Sequence, residues 1–237
     1  MKKLLLGCGV LLALGLATMG YVVWQLWPDI QQTVSEAEEF ERRLMALEED
    51  YPFDADEQVD LDTERFTASL DMRVIIGRNL DDWKNDINAF GETIEERDVG
   101  FVEEIRGYIS RFSEMFQIIA PMEDFAMSPS EFNYHTRVLW AALATVAHGL
   151  DDDPDLDSLR ELYPKMKTQY NEQRAEGSID LDELIGEFDA TVLSTARDML
   201  KTDTARIEQA VTNASAEAIF MTLPKGPREF NADGDEL

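Results

Sequence analysis

An uncharged run of 24 residues near the N-terminus, from Leu4 to Trp27, constrains what this chain can fold into more than any other feature. Gln25 is the only strongly polar side chain in the run. A helix of that length measures roughly 36 Å, which is enough to cross the hydrocarbon core of a bilayer with some tilt. The run therefore predicts a single transmembrane helix, and the chain is expected to contact the membrane through residues 4–27.

The charges on either side of this run predict its orientation. Lys2 and Lys3 precede it, while acidic residues follow it and no basic residue appears before Arg42. Because basic residues accumulate on the cytoplasmic side of a span, the N-terminus is expected in the cytoplasm and residues 29–237 outside it. Three aromatic residues that suit the headgroup level lie at the outer end of the run: Tyr21, Trp24 and Trp27. The pattern is typical of a single-pass protein of the bacterial inner membrane whose main domain is periplasmic.

Two other interpretations of the run stay open beside an uncleaved signal-anchor. A signal peptidase site at Gly15-Leu16-Ala17 would remove the leader, although the uncharged run continues for ten residues beyond it. Leu5-Leu6-Gly7-Cys8 resembles a bacterial lipobox, although only seven residues precede the cysteine and the apolar stretch follows it. The uncleaved anchor, with Cys8 as a small apolar residue inside the span, accounts for the whole run.

Small residues recur at every fourth position of the predicted span, at Gly9, Ala13 and Ala17. They fall on one face of a helix, where they would let a second helix approach closely. We expect a weak self-association of the chain through this face.

Beyond the span, apolar residues recur at spacings of three and four, as they do on one face of an amphipathic helix. Pro28 suits the first turn of a helix, so a new helix is expected to begin there. Its apolar positions are Ile30, Val34, Ala37, Phe40, Leu44 and Leu47. Later helices are expected to begin near Asp62, Val99, Ser128, Asp157, Gly177 and Asp203. No segment keeps a period of two, so the chain is predicted to be all-α, with a transmembrane helix followed by an irregular bundle of about six or seven helices.

The helix that begins near Ser128 has the clearest predicted ends. Ser128 can cap it, Pro129 suits its first position, and Glu131 completes the sequence pattern of a capping box. His148-Gly149 is expected to end it.

Prolines and composition divide the rest of the chain. Pro121 is expected to end the third amphipathic helix, and Pro164 to kink or break the fifth. The whole pattern predicts an anchor over residues 1–28, a helical domain over 29–223 and a disordered acidic tail over 224–237.

The acidic composition limits the partners. The chain has 49 acidic and 21 basic residues, a net charge of −28, whereas affinity for nucleic-acid phosphates comes mainly from basic side chains. No nucleic acid is therefore expected as a partner, and a protein with cationic or apolar patches is expected instead. One cysteine and two histidines cannot form an internal disulfide or most zinc sites.

Residues able to do chemistry are few or ambiguous. Acid-rich loops over residues 54–62 and 151–157 could bind divalent cations, but neither has the glycine and glutamate positions of an EF-hand, and most such loops are solvated. His135 lies four residues after Glu131, which is typical of a solvent-facing contact on a helix. His135 and His148 fall on nearly opposite faces of that helix and are not expected to share a metal. Four aromatic residues are expected to pack in the core, or else to line a ligand pocket: Trp83, Phe112, Phe116 and Trp140.

The sequence contains no serine-hydrolase, phosphate-binding or zinc-protease motif. We therefore predict no catalytic, cofactor-binding or metal-binding residues and no cofactor. The sequence favours a membrane-anchored, non-catalytic, extracytoplasmic helical domain that binds or organises another envelope protein. A helical receptor for an apolar small molecule is the alternative, and an unrecognised hydrolase is a third interpretation.

Overall fold

The computed structural model describes residues 2–96, 100–114, 116, 120–149, 154–173 and 181–211. For residues 2–21 and eight further helical residues, Phe112 among them, it describes the backbone alone. This described part contains eight α-helices, two short 3₁₀ helices and no strand. The all-α class predicted from the sequence is confirmed.

The helices belong to two compact units. In chain order they are α1 (Lys2–Asp50), α2 (Thr63–Glu96), α3 (Phe101–Glu114), α4 (Ala120–Asp124), α5 (Pro129–Ala147), α6 (Asp157–Gln173), α7 (Ala190–Thr202) and α8 (Thr204–Ala210), with 3₁₀ helices at Pro154–Leu156 and Glu183–Glu187. Unit 1 comprises Met1–Glu41 and Asp82–Gln117, and unit 2 comprises Arg42–Asp81 and Ile118–Leu237. Each of the two long helices, α1 and α2, therefore contributes to both units.

A single helix, α1, stands where the sequence predicted two helices separated at Pro28. The predicted helix start is wrong, because α1 continues through Pro28 to Asp50. A proline in a helix interior removes one backbone hydrogen bond. Arg106 of α3 donates to the backbone oxygen of Gln25 at 3.3 Å and to the carboxylate of Asp29 at 2.8 Å, so it supports α1 on both sides of the proline.

Among the residues whose side chains are described, no helix is long and apolar enough to cross a membrane. Most of the predicted span, residues 4–21, lies outside that set and is described as the helical backbone of α1. The small residues predicted to support self-association, Gly9, Ala13 and Ala17, lie there as well.

In unit 1, α3 runs parallel to the adjacent part of α1. Contacts between the two helices advance together along the chain, since Arg106 bonds Asp29 while the hydroxyl of Ser113 bonds that of Thr33, with 3.3 Å between the two oxygens. This shared direction fixes which residues of α1 and α3 lie at the same height.

The second half of α2 packs antiparallel against α3. Trp83 donates its indole N–H to the backbone oxygen of Arg111 at 2.6 Å, near the C-terminal end of α3. Closer to the start of α3, the rings of Phe90 and Tyr108 meet edge to face at 5.2 Å. The Phe90 ring also occupies the space beside Gly107, where an added Cβ atom would lie 1.9 Å from it.

The centre of unit 2 is α5. Almost every residue from Pro129 to Val146 is buried, so this helix contacts neighbours on all its faces. Packed around it are α6, α7 and the 3₁₀ helix Glu183–Glu187. The largest fully buried apolar side chains of the chain lie in this unit: Trp140, Phe66, Phe132, Leu70, Met72, Ile76, Met127 and Leu139.

Several predicted helix ends are confirmed. Asp62 caps α2, since its carboxylate accepts from the backbone N–H groups two and three residues later, both at 3.0 Å. Ser128 caps α5 by accepting from the N–H three residues later at 3.2 Å. α5 ends at Ala147, and Gly149 follows with a φ of +70°, the left-handed conformation that suits glycine.

Other predicted ends are wrong. α3 ends at Glu114, and Pro121 lies in the first turn of α4. Backbone N–H groups in a first turn make no bond within the helix, so a proline there costs no hydrogen bond. α6 is not broken at Pro164. The helix predicted from Gly177 begins only at Ala190, because Phe188 adopts an extended conformation after the second 3₁₀ helix.

The last predicted helix does begin after Asp203, as α8. The rest of that prediction, up to Met221, and the acidic tail over 224–237 lie outside the described residues.

Candidate functional site

A buried ionic cluster lies at the start of α5 in unit 2. The guanidinium of Arg65 donates to both carboxylate oxygens of Glu131, each at 2.6 Å. It also donates to the backbone oxygens of Phe125 at 3.2 Å and Ala126 at 2.9 Å. Ala126 has a φ of +48°, so Arg65 bonds to a strained turn that joins α4 to α5.

His135 lies one helical turn after Glu131 and is 2% exposed. Neither ring nitrogen has a hydrogen-bond partner, and Nε2 lies 3.7 Å from the nearer Glu131 oxygen, which is too long for a hydrogen bond. Three aromatic rings surround the imidazole with centroids 5.3 to 6.2 Å away: Phe53, Phe66 and Tyr134. The predicted solvent-facing contact between Glu131 and His135 is therefore wrong, because α5 is buried on every face.

The charge states in this cluster follow from burial and pairing. Burial lowers the pKa of His135, since a charged imidazole would lose its hydration and find its nearest carboxylate already bound to Arg65. Burial would raise the pKa of Glu131, but Arg65 and His135 together outweigh it and leave that pKa below its usual value. At neutral pH the cluster is an ion pair beside a neutral imidazole.

A second carboxylate also reaches the start of α5. One oxygen of Glu48, from α1, accepts from the backbone N–H and from the hydroxyl of Ser130, both at 2.6 Å. Negative charge at this end of a helix is favoured by the helix dipole and by the free N–H groups. These contacts attach the C-terminal part of α1 to the start of α5 within unit 2. The Glu48 carboxylate therefore serves the packing of these two helices.

Asp182 is the centre of a surface cluster in unit 2. It accepts from the hydroxyl of Tyr163 at 2.6 Å, from the ammonium of Lys167, and from Nε2 of His148 at 3.2 Å. Burial would raise the pKa of Asp182, but these hydrogen bonds outweigh it and lower the pKa to about 2. His148 is the C-cap residue of α5, as its position before Gly149 predicted.

The predicted cation loops show no metal geometry where they are described. Asp54 accepts from the backbone N–H of Asp56 at 2.9 Å and Asp62 caps α2, so these carboxylates serve the backbone. Residues 151–153 of the second loop lie outside the described residues. Within the described ranges, no group of three His, Cys, Asp or Glu side chains is placed to hold a metal ion.

The four aromatic candidates do not come together as one pocket. Trp140 is fully buried in unit 2, where its ring lies 5.9 Å from that of Tyr163. Trp83 and Phe116 pack within unit 1, and the Phe112 side chain lies outside the described residues. Core packing, the first of the two predictions, is confirmed for Trp140.

Unit 1 exposes an apolar surface, which we call the unit 1 face. It consists of exposed side chains on α1 and α3: Val23, Trp24, Trp27, Val34, Phe101 and Tyr108. Further along α1 than Trp27, the face contains a groove of about 330 Å³ lined by Ile30, Thr33, Val34, Tyr108 and Ile109. The helical spacing of Ile30 and Val34 predicted an apolar stripe, but a spacing alone cannot show whether a neighbouring helix covers it.

Unit 2 has a separate open groove of about 460 Å³. Its lining residues come from α2, α8 and the turn after α4: Asp71, Val74, Ile75, Phe125, Arg206 and Gln209. Arg206 lies at its edge, 3.4 Å from Asp71 and 3.1 Å from Asp203.

Comparison of this chain with protein family models, curated proteins and solved structures finds no match. The function must therefore be argued from the sequence and the geometry.

Proposed function

We propose that this chain is a single-pass protein of the bacterial inner membrane, anchored by residues 4–27, whose helical units lie outside the cytoplasm and bind another envelope protein through the groove of the unit 1 face. In this proposal the chain is a non-catalytic binding protein. The observation that carries the proposal is the unit 1 face, because apolar side chains left exposed in a cluster are typical of a binding surface.

The contrast between the two units supports this choice of surface. In unit 2 the largest apolar side chains are buried around α5, and Met45 and Val59 are exposed. In unit 1 the exposed apolar side chains include two tryptophans, and Trp27 and Val34 are about half exposed on the helix that leads from the predicted span. Burying apolar area of this kind contributes roughly 25 cal/mol per Å², so a partner that covers these side chains gains affinity from them.

The shape of the groove suggests a helical partner. Its walls are two parallel helices, α1 and α3, and its lining is mostly apolar. A helix that enters such a groove presents apolar residues at spacings of three and four. Because α1 is continuous with the predicted anchor, the partner proposed here is a helix of another membrane protein that leaves the bilayer beside α1.

Site-specific photo-crosslinking in native membranes tests this proposal. A photoreactive amino acid is placed at Val34 or at Tyr108, and a matched control carries it at Val59, an exposed valine in unit 2. We expect both unit 1 positions to capture the same integral membrane protein and Val59 not to capture it. Capture of a second copy of this chain, or equal capture from Val59, would contradict the proposal.

The groove of unit 2 favours the alternative, a receptor for an apolar small molecule. Its walls are largely apolar, and Arg206 at its edge is already paired with Asp71 and Asp203, so an uncharged apolar molecule suits it. A rise in melting temperature with medium-chain alcohols, lost in Val74→Asp, would favour this alternative. The melting test concerns unit 2, so its outcome does not change what photo-crosslinking in unit 1 says about the first proposal.

A further inference from the structure

We infer that Phe101, at the start of α3, lies in the lipid headgroup region beside Trp24 and Trp27, so that unit 1 contacts the membrane through two helices. This inference rests on the proposed function, because it requires that α1 enter a bilayer. It goes further by making the start of α3 a second membrane contact and by giving unit 1 a defined height above the membrane.

The register between α1 and α3 places these residues together. Arg106 bonds Asp29, which is 77 residues earlier, and the hydroxyl of Ser113 bonds that of Thr33, which is 80 residues earlier. Because α1 and α3 are parallel, these offsets place Phe101 level with the turn of α1 that ends at Trp24. Trp27 is one turn further along α1, roughly 4.5 Å away along the helix axis. The three residues therefore lie within about two helical turns of one another along the axis of unit 1.

All three side chains are open to contact from outside the unit. Trp24 is 72% exposed, Trp27 51% and Phe101 63%. Phe101 leaves most of its apolar area exposed, so the ring gives only a small part of its possible burial energy to the stability of unit 1. Tryptophan is favoured at the headgroup level, where the ring is in an apolar layer and the indole N–H stays hydrated.

The nearby charges indicate which kind of lipid this layer suits. Glu103 and Glu104 follow Phe101 by two and three residues, and among the described side chains at this end of α3 the basic one, Arg106, is paired with Asp29. Arg97, four residues before Phe101, lies outside the described residues. Carboxylates here would be repelled by anionic headgroups. The contact is therefore apolar, and it is expected to be strongest on zwitterionic phosphatidylcholine and weaker when anionic lipid is added.

Fluorescence quenching from within the membrane tests the inference on the full chain. The protein carries Cys8→Ala and one new cysteine, at Leu14→Cys, Phe101→Cys or Tyr108→Cys, labelled with a fluorophore. It is placed in phosphatidylcholine nanodiscs, one chain per disc. The lipid carries a quencher near the headgroups for Phe101 and Tyr108 and, in a separate series, a quencher near the middle of the acyl chains for Leu14. Tyr108 is the matched control, because it lies on the same face of α3 two turns further from Phe101, roughly 10 Å along the axis.

We expect lipid quenching at Leu14 and at Phe101, and several-fold weaker quenching at Tyr108. If Leu14 is quenched but Phe101 is quenched no more than Tyr108, the inference is wrong while the anchor stands. If none of the three is quenched, the anchor itself is wrong. Protection of Phe101 from a water-soluble quencher without lipid quenching would indicate a protein contact there and would also overturn the inference.

Discussion

The Nε2 atom of His135 lies 3.7 Å from a carboxylate oxygen of Glu131, and both side chains are buried in unit 2. Arg65 already bonds both oxygens of that carboxylate. A proton on His135 would therefore place a second positive charge in a buried site whose ion pair is complete. The folded protein resists this protonation, and the unfolded chain does not.

The first prediction concerns stability against pH. The pKa of His135 is lower in the folded state than in the unfolded chain, so the unfolded state binds more protons as the pH falls. The free energy of unfolding should then decrease below about pH 6.5, by up to about 1.4 kcal/mol per pH unit. Chemical denaturation of the wild type and of His135→Phe measures this contribution. The variant should lack it, and equal pH dependence in the two proteins would contradict the burial of a neutral imidazole.

The pair of Arg65 and Glu131 leads to a second prediction. Arg65→Met leaves a buried carboxylate without its partner and should lower the free energy of unfolding by about 2–3 kcal/mol. The matched control is Arg43→Met, since Arg43 is about as exposed as Arg65 and also bonds both oxygens of a glutamate, but that glutamate, Glu123, is 40% exposed whereas Glu131 is 9% exposed. That loss should stay below about 1 kcal/mol. Similar losses of unfolding free energy in the two variants would show that burial of the glutamate does not determine how strongly the ion pair stabilises the fold.

Gly107 leads to a third prediction, on the packing of unit 1. A Cβ atom there would lie 1.9 Å from the Phe90 ring, and that ring is held by Tyr108 and by the guanidinium of Arg111, 3.8 Å from its centroid. Gly107→Ala should lower the free energy of unfolding by about 1–3 kcal/mol.

The control for Gly107 is Gly91→Ala in α2. The nearest atom to a Cβ at Gly91 is the Tyr108 hydroxyl oxygen at 3.4 Å, an ordinary contact. Alanine favours a helix over glycine, so this variant should gain about 0.5–1 kcal/mol. If both variants are stabilised, α2 and α3 do not pack as closely as described.

The sequence predicts which segments of this chain are helical better than it predicts which other helices contact them. Local signals placed the caps at Asp62 and Ser128, because a cap depends on residues within one turn of it. α1 continues through Pro28, where the local signal predicted a new start, and Arg106, which is distant in sequence, bonds α1 on both sides of that proline. The spacing of apolar residues therefore predicts where a helix is possible, and contacts from other helices decide where it ends.

The candidate site was harder to predict for the same reason. The four-residue spacing of Glu131 and His135 is equally compatible with a solvated pair and with a buried one. Only the complete burial of α5 decides between them. Val34 shows the same limit, since its spacing predicts an apolar position on an amphipathic helix and does not show that the structure leaves it 52% exposed.

A fourth prediction links charge to stability. Residues 29–237 carry 49 acidic and 19 basic residues, a net charge of −30 that folding concentrates. Sodium chloride should raise the melting temperature as the Debye length falls from roughly 30 Å at 0.01 M to 3 Å at 1 M. Potassium chloride should act equally, because screening depends on ionic strength. A melting temperature that stays constant or falls with salt would show that ion pairs and helix caps already compensate the repulsion between the acidic side chains.

Membrane anchoring by residues 4–27 underlies the proposed function, and a topology reporter measures it most directly. An enzyme that is active only outside the cytoplasm is fused after Leu237, in the full chain and in a control lacking residues 2–27. We predict an active, membrane-bound reporter in the full chain and an inactive, unbound one in the control. Activity that appears only with a cytoplasmic reporter, or a full chain that leaves the membrane as readily as the control, would contradict the anchor and its orientation.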